Sequence, residues 1–146
     1  MFELGTDGPL VILVGIDGSD SSMRAGAYAA GLARRQGSKL VLAYFRPMGT
    51  GTPQAGAAIA QVGDEMAADL ERQIREGVER NPYYGRIRWE FHTAEGDPYR
   101  GLLELASRIK ADAVVIGASE RAGHRILGSV AVRLVKAGRW PVTVVP

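Results

Sequence analysis

The stretch Leu10–Ile16, LVILVGI, decides how this chain is expected to fold. An apolar run without alternation is typical of a strand buried on both faces, as strands of parallel sheets are. The polar stretch that follows, Asp17–Ser22 (DGSDSS), supplies candidate N-caps for a helix. We therefore expect a strand followed by a helix, the unit from which parallel sheets are built.

The next segments continue this alternation toward the middle of the chain. A helix is predicted at about 21–36, ended by Gly37, and a second strand at 39–45 (KLVLAYF). The stretch 46–63 has two prolines, four glycines and few large apolar residues, so we expect a mobile loop there. A second helix is predicted to begin at Asp64 and to end at Asn81.

The second half of the chain shows the same alternation of strands and helices. The strand predicted at 86–92 (RIRWEFH) alternates, with Ile87, Trp89 and Phe91 on one side, so we place it near a sheet edge. Asp97 and Pro98 have the residue types of an N-cap and a first helical position. The predicted elements that follow are a helix to about Lys110, a strand at 113–116, a helix of about nine residues from Gly128–Ser129 to Gly138, and a strand at 142–145.

Strands that alternate with helices form right-handed βαβ units and a parallel sheet. We therefore predict a single α/β domain over residues 1–146, with an open, twisted, five-stranded parallel sheet and helices on both faces. This is a Rossmann-like arrangement, and the predicted strand order is 3-2-1-4-5. Ligands of such sheets bind beyond the carboxyl ends of the strands, where the strand order reverses. Here that point lies between strands one and four.

Composition excludes several classes of function. The net charge of +2 is too weak to indicate nucleic acid binding. The absence of cysteine excludes disulfides, thiol catalysis and thiolate metal sites, and it is consistent with a reducing cytosol. No apolar run reaches the length of about eighteen residues that a membrane span needs, and residues 1–9 lack the basic start of a secretory signal. We expect a cytoplasmic protein that binds neither nucleic acid nor membrane.

The charge distribution is uneven near the end of the chain. No aspartate or glutamate follows Glu120, whereas basic residues continue. These basic residues are Arg121, Arg125, Arg133, Lys136 and Arg139. Two interpretations remain open, a solvated basic face or a local field suited to an anion such as a phosphate.

Two segments carry the residues suited to binding. Asp17, at the end of strand one, either accepts hydrogen bonds from a sugar or base or orders its own turn. A dehalogenase-like phosphatase would need an aspartate where Gly15 stands, so that enzyme class does not fit. In the second segment, Gly117 ends a buried strand and lets a ligand approach the backbone. Gly128–Ser129 then begins a helix whose free N–H groups suit a phosphate, unless Ser129 is a plain N-cap.

Taken in order, these segments resemble the universal stress protein family. The resemblance rests on the first strand with Asp17, on Gly117, the loop and 128–130 (GSV), and on the closing segment 140–145 (WPVTVV). The start of the third helix at 95–98 (EGDP) also matches, and the similarity covers 10–146. The resemblance implies a five-stranded α/β fold, a homodimer formed through the last strands and, in one branch of the family, ATP binding.

The resemblance also implies roles for individual residues. Asp17 would contact the nucleoside, and the backbone at Phe45 would contact adenine. Gly117 and the Gly128–Ser129 pair would hold the ribose and phosphates. The residues assigned to a nucleotide site are Asp17, Phe45, Ile116, Gly117, Arg121, Gly123, Arg125, Gly128, Ser129 and Val130.

This chain departs from the family's ATP-binding pattern in the loop before the fourth helix. That pattern has a second glycine where Glu120 stands, and the stretch from Gly117 to Gly128 is two residues shorter. A carboxylate beside a phosphate costs about 1 kcal/mol or more when it is poorly hydrated. Arg121, His124 and Arg125 are candidate side-chain ligands that would compensate.

Two functions follow as hypotheses. The first is a dimeric module that binds ATP or AMP, with Mg²⁺ as a candidate companion ion, and signals stress without efficient catalysis. The second is a module that binds no nucleotide and acts through dimerisation and protein contacts. Strand 142–145 is apolar and would form a sheet edge, which favours pairing with another copy. We find no convincing general base and nucleophile-positioning pair, so at most a slow ATP hydrolase is expected, and the two histidines do not suggest a metal site.

Overall fold

The computed structural model describes residues 8–118, 120–121, 124–125 and 128–146. The elements along them are β1 (Val11–Gly15), α1 (Asp20–Gln36), β2 (Lys39–Arg46), α2 (Pro53–Arg80), β3 (Trp89–Glu95), α3 (Pro98–Ile109), β4 (Ala113–Gly117), β5 (Glu120–Arg121), β6 (His124–Arg125), α4 (Ser129–Ala137) and β7 (Val142–Val145).

The main sheet has five parallel strands in the order β3-β2-β1-β4-β7. This confirms the predicted order, since β7 is the fifth strand of this sheet. Gly15, the last residue of β1, lies opposite Ala43 of β2 and Ile116 of β4. The carboxyl ends of these three strands therefore meet where the strand order reverses, as predicted.

The alternation of side chains along β1 divides the core between the two faces of the sheet. Ile12 and Val14 point to the face covered by α1, whose buried positions include Ala25 and Ala29. Leu13 points to the opposite face and packs in the cluster that includes Leu102 and Leu105 of α3, and Leu134 of α4. Burial on both faces explains why the sequence of β1 is an unbroken apolar run. The alanines of α1 let its backbone lie close to the sheet.

The predicted loop over 46–63 is wrong for most of its length, and Asp64 does not begin the second helix. Helix α2 begins at Pro53 and continues for 28 residues. Its N-cap is Thr52, whose Oγ1 accepts a hydrogen bond from the Ala55 N–H at 3.2 Å. Proline is well suited to a first helical position, and the alanines that follow are strong helix formers, which outweighs the glycines among them. The C-cap at Asn81 agrees with the predicted end.

Two further differences concern the edges of the fold. Strand β3 is the predicted edge strand, but it begins at Trp89 and ends at Glu95, about three residues later than predicted. Its limits follow its pairing with β2, which runs from Leu40 opposite Trp89 to Arg46 opposite Glu95. In the segment predicted only as a loop, β5 and β6 form a short antiparallel ribbon.

The helix ends agree with the predicted capping residues. Asp97 is the N-cap of α3 and accepts a hydrogen bond from the Arg100 N–H at 3.0 Å, with Pro98 next in the chain. Gly37 and Gly138 end α1 and α4 with positive φ values of 69° and 63°. Within the described ranges, no helix is both long enough and apolar enough to cross a membrane.

Candidate functional site

A cavity of about 410 Å³ opens beyond the carboxyl ends of β1, β2 and β4. The loop from β1 to α1 forms one wall, and the starts of α3 and α4 form the others. Its position is the one predicted for a ligand of this sheet. The predicted residues that line it are Asp17, Phe45, Ile116, Gly117, Gly128, Ser129 and Val130.

The remaining predicted residues cannot be placed at this cavity. Gly123 lies outside the described residues. The backbones of Arg121 and Arg125 belong to β5 and β6, but their side chains lie outside what the structure describes. Their assignment as phosphate ligands therefore remains a prediction. The same holds for the effect of Glu120.

Asp17 lies exposed at the mouth of the cavity and orders the loop that follows β1. Its Oδ1 accepts a hydrogen bond from the Ser19 N–H at 2.9 Å, an Asx turn. Its own N–H donates to Ser22 Oγ at 3.1 Å. The turn-ordering role proposed as one alternative for Asp17 is therefore present. Because the residue also lines the cavity, the second role, as an acceptor for a ligand, remains available to the carboxylate.

The surroundings of Asp17 keep its carboxyl group ionised. Partial burial raises the pKa of Asp17, but hydrogen bonds from Ser19 and Ser22 together outweigh this effect and lower the pKa below its usual value. A carboxylate is a hydrogen-bond acceptor only, so it suits ligand hydroxyl groups. Asp17 is the only titratable side chain in the described lining of the cavity.

The lowered pKa of Asp17 predicts a pH-dependent contribution to stability. A folded-state pKa below the unfolded value means that the stabilisation is full above the unfolded pKa, about 3.9, and is lost as pH falls through the folded value. We expect wild type to exceed Asp17→Asn in free energy of unfolding at neutral pH, with the difference vanishing in acid. Asparagine preserves the Asx turn, so the comparison isolates the charge. Urea unfolding of both proteins, from neutral pH to below the pKa of Asp17, measures this difference in free energy of unfolding. A difference that stays constant with pH would contradict the lowered pKa of Asp17.

Three serines at this site were not assigned from the sequence. Ser19, Ser21 and Ser22 line the cavity, and the last two are almost fully buried. Ser19 is the N-cap of α1 and accepts from the Ser22 N–H at 3.3 Å, while Ser22 Oγ donates to the Ser19 carbonyl at 3.0 Å. In the sequence, the run 19–22 (SDSS) indicates a set of N-caps. The signal from which their place in the cavity wall could be predicted is the density of hydroxyl groups directly after a strand end.

The start of α4 supplies main-chain donors. Gly128 is the N-cap and makes no side-chain capping hydrogen bond, so Ser129 is the first helical residue and not a plain N-cap. The Val132 N–H donates to the Gly128 carbonyl at 3.1 Å, which makes it the first amide of the helix with a helical acceptor. The three residues before it line the cavity: Ser129, Val130 and Ala131. Such a helix start attracts anions.

Gly117 has a structural role that differs from the predicted one. A β-carbon on Gly117 would lie 2.6 Å from the Ser21 carbonyl carbon and 2.7 Å from the Ser22 nitrogen. The end of β4 therefore touches the backbone at the start of α1. The glycine is needed for this packing whether or not a ligand approaches it.

The cavity has an apolar end opposite the start of α4. Ala43 and Phe45 of β2 line it, and Leu102 of α3 and Ile116 of β4, which both approach Gly15 of β1, continue the apolar wall toward β4. The cavity thus combines main-chain and hydroxyl donors, one carboxylate and an apolar wall. His92 is in β3 and does not line this cavity, and its Nε2 lies 2.9 Å from Glu90 Oε2. Among the described residues, no three histidine, aspartate or glutamate side chains are grouped to hold a metal ion.

Comparison with known proteins gives one consistent family. The model of the universal stress protein family matches residues 10–146. Universal stress protein Rv1636 of Mycobacterium tuberculosis is 31% identical over 151 residues, covering 92% of this chain and 94% of that protein.

Solved structures agree in fold. UspA of Lactobacillus plantarum superimposes with a TM-score of 0.80 at 23% identity, covering 93% of this chain and 97% of that one. A universal stress protein in complex with cAMP has a TM-score of 0.60 at 29% identity, covering 95% and 98%. A family match that runs from the first strand to the last residue, supported by a relative of similar length, establishes that this chain belongs to the universal stress protein family.

Proposed function

We propose that this chain is a cytoplasmic, dimeric stress-signalling module that binds an adenine nucleotide in the 410 Å³ cavity. The observation that carries the proposal is the polarity of that cavity. One end presents the free N–H groups of α4, and the other is apolar. Its volume lies within the range of about 300–1,000 Å³ that is usual for small-molecule sites.

The distribution of groups supports one orientation of the nucleotide. A phosphate accepts hydrogen bonds from the amides of Ser129 and Val130 and from the Ser129 hydroxyl. The ionised Asp17 accepts hydrogen bonds from ribose hydroxyls, and the base lies against Phe45 and Leu102. The 29% identical structural relative in complex with cAMP supports a ligand that combines adenine, ribose and phosphate.

ATP, the larger candidate ligand, places additional phosphates beyond the start of α4. We propose that Arg121 of β5 and Arg125 of β6 balance the negative charge of these additional phosphates. Mg²⁺ accompanies ATP, bound mainly by the phosphates and water. AMP needs neither, and it is therefore the nucleotide with which binding is tested first.

The proposed module binds its nucleotide without efficient catalysis. The described lining offers serine hydroxyls but no histidine or lysine to activate one, and Asp17 is held in its turn by Ser19. In phosphoryl transfer, a positioned base or water-orienting residue and charge clamps on the phosphates provide the acceleration. ATP hydrolysis at about 1 s⁻¹ or faster that is lost on Asp17→Ala would contradict this part of the proposal.

The proposed binding is tested by isothermal titration with AMP, cAMP and ATP, the last with and without Mg²⁺. A ligand present at 100 times its dissociation constant stabilises the fold by about 2.7 kcal/mol, which raises Tm by about 5–10 °C for a domain of this size. No heat and no thermal shift at millimolar nucleotide would refute nucleotide binding. The alternative function, a module that acts through dimerisation and protein contacts, would then take its place.

The proposed dimer forms through β7, which among the described strands pairs with β4 alone. The carbonyls of Pro141 and Val145 accept hydrogen bonds from β4 and the residue after it. Backbone groups alternate in direction along a strand, so those of Val144 face the open edge. An unpaired apolar edge favours pairing with a second copy.

A proline at this edge is expected to separate the dimer. Val144→Pro removes an outward N–H but leaves the hydrogen bonds to β4, a position at which a strand tolerates proline. We expect wild type to sediment as a dimer and Val144→Pro as a monomer at micromolar concentration, with unchanged circular dichroism. Analytical ultracentrifugation measures both. A monomeric wild type would contradict the dimer.

A further inference from the structure

The ring of Phe45 rests on the bare backbone of Gly101 in α3. A β-carbon on Gly101 would lie 2.8 Å from Phe45 Cζ and closer still to Cε1 and Cδ1. β-Carbons do not approach other atoms so closely. The ring therefore occupies the space that any side chain at position 101 would need.

Phe45 also forms a wall between two cavities. It lines the 410 Å³ cavity and a second cavity of about 240 Å³ between β3 and α3, whose lining includes His92 and Arg100. Gly101 lines only the second cavity. A ring displaced from Gly101 therefore moves toward the first cavity and reduces its volume.

The position of β2 in the sheet shows which part of a ligand meets this wall. Helix α4 belongs to the connection between β4 and β7, and β2 is two strands away from β4, about 9–10 Å at the usual strand spacing. Phe45 thus lies at the end of the cavity farthest from the phosphate position. Its neighbours there include Ala43 and Leu102, which suit an uncharged planar group.

We propose that Phe45 determines the size of the base that the cavity admits and that Gly101 is the positioning residue that holds its ring out of the cavity. This inference rests on the proposed nucleotide site and names its specificity. The wild-type cavity admits an unsubstituted adenine. Removal of the ring joins the two cavities and admits an enlarged base.

The test compares four proteins: wild type, Gly101→Ala, Phe45→Ala and the double variant. Isothermal titration uses AMP and 1,N6-etheno-AMP, whose base carries an additional fused ring. We expect Gly101→Ala to weaken AMP binding about tenfold, a free-energy change of about 1.4 kcal/mol. The double variant should bind AMP as Phe45→Ala does. Phe45→Ala should increase the affinity for etheno-AMP relative to AMP at least about fivefold, because the second cavity becomes accessible.

A matched control separates this effect from a general effect of alanine in helices. A β-carbon on Gly77 of α2 would have, in the described part of the chain, no atom within 4 Å other than those of its chain neighbours and its own helix backbone. Gly77→Ala should therefore leave AMP binding unchanged and raise Tm, since alanine favours a helix interior over glycine. Gly101→Ala should gain no such stability unless Phe45 is also replaced. Thermal unfolding without ligand measures this dependence of the Gly101→Ala effect on Phe45.

Two results would overturn the inference: AMP binding to Gly101→Ala that equals wild type, or an etheno-AMP preference that Phe45→Ala leaves unchanged. If wild type binds no AMP, the proposed function fails. The thermal unfolding of the ligand-free proteins then tests separately whether the ring rests on Gly101. If Gly101→Ala changes Tm equally with and without the ring of Phe45, the inference is overturned. Should Phe45→Ala fail to fold, Phe45→Val, which also lacks the ring, replaces it.

Discussion

Gly117→Ala is expected to lower the free energy of unfolding by about 3 kcal/mol and Tm by about 6–12 °C. The new β-carbon would lie 2.6 Å from the Ser21 carbonyl carbon and 2.7 Å from the Ser22 nitrogen. These are backbone atoms at the start of α1, so no side-chain rotation relieves the overlap. Either α1 or the end of β4 must shift, and both border the cavity. Urea and thermal unfolding measure the loss.

Gly31→Ala is the control for this prediction. Gly31 is also a glycine of the fold, within α1, but a β-carbon there would meet no atom of the described residues within 4 Å outside its own chain neighbours and helix backbone. Alanine at this position should stabilise the protein by up to about 1 kcal/mol through helix propensity. If the two variants changed stability in the same direction and by similar amounts, the close approach at Gly117 would be wrong. The pair also shows that Gly117 variants cannot test ligand binding cleanly.

Ser129→Asp is expected to weaken AMP binding about 100-fold, or about 2.7 kcal/mol, while the ligand-free protein remains as stable or becomes more stable. The carboxylate would stand at the first position of α4, beside the amides proposed to bind phosphate. Two like charges about 4 Å apart repel by about 4 kcal/mol at an effective dielectric constant of 20, and partial exposure reduces this value. An acidic residue at a helix start stabilises the helix itself. Ser129→Asp should therefore lower the affinity for AMP without lowering the stability of the ligand-free protein.

The neutral variant Ser129→Asn provides the matched control. It has a similar shape to aspartate but no charge, and its side-chain N–H can donate to the phosphate in place of the hydroxyl, so AMP affinity should remain within about threefold of wild type. The deficit of Ser129→Asp should also shrink as salt is raised, because exposed charges are screened. Titration of both variants at low and high salt measures these effects. Equal AMP affinity for the two variants would place the phosphate elsewhere.

The parts of the fold that were predicted correctly depend on local signals. The unbroken apolar run of β1 indicates burial on both faces, and the caps Gly37, Asp97 and Gly138 mark helix ends within a few residues. Strand order follows from the handedness of βαβ units and from the resemblance. The position of the cavity then follows from the strand order alone. These features can be predicted without knowing which residues far apart in the chain are in contact.

The features that were predicted wrongly or not at all depend on competing local signals or on contacts between residues far apart in the chain. The start of α2 has a local signal, Thr52–Pro53, but the glycines on both sides of it are typical of a loop. The limits of β3 are set by pairing with β2. The role of Gly117 depends on α1, nearly a hundred positions earlier in the chain. The contact of Phe45 with Gly101 likewise joins two elements that no local pattern connects.

The main-chain character of the donors at α4 has an evolutionary consequence. Amides of residues 129–131 exist whatever side chains stand there, with proline as the exception. Substitutions can therefore accumulate along this helix without removing its capacity to attract an anion. The attraction of this helix start for an anion therefore depends on the path of the backbone more than on the identity of its side chains.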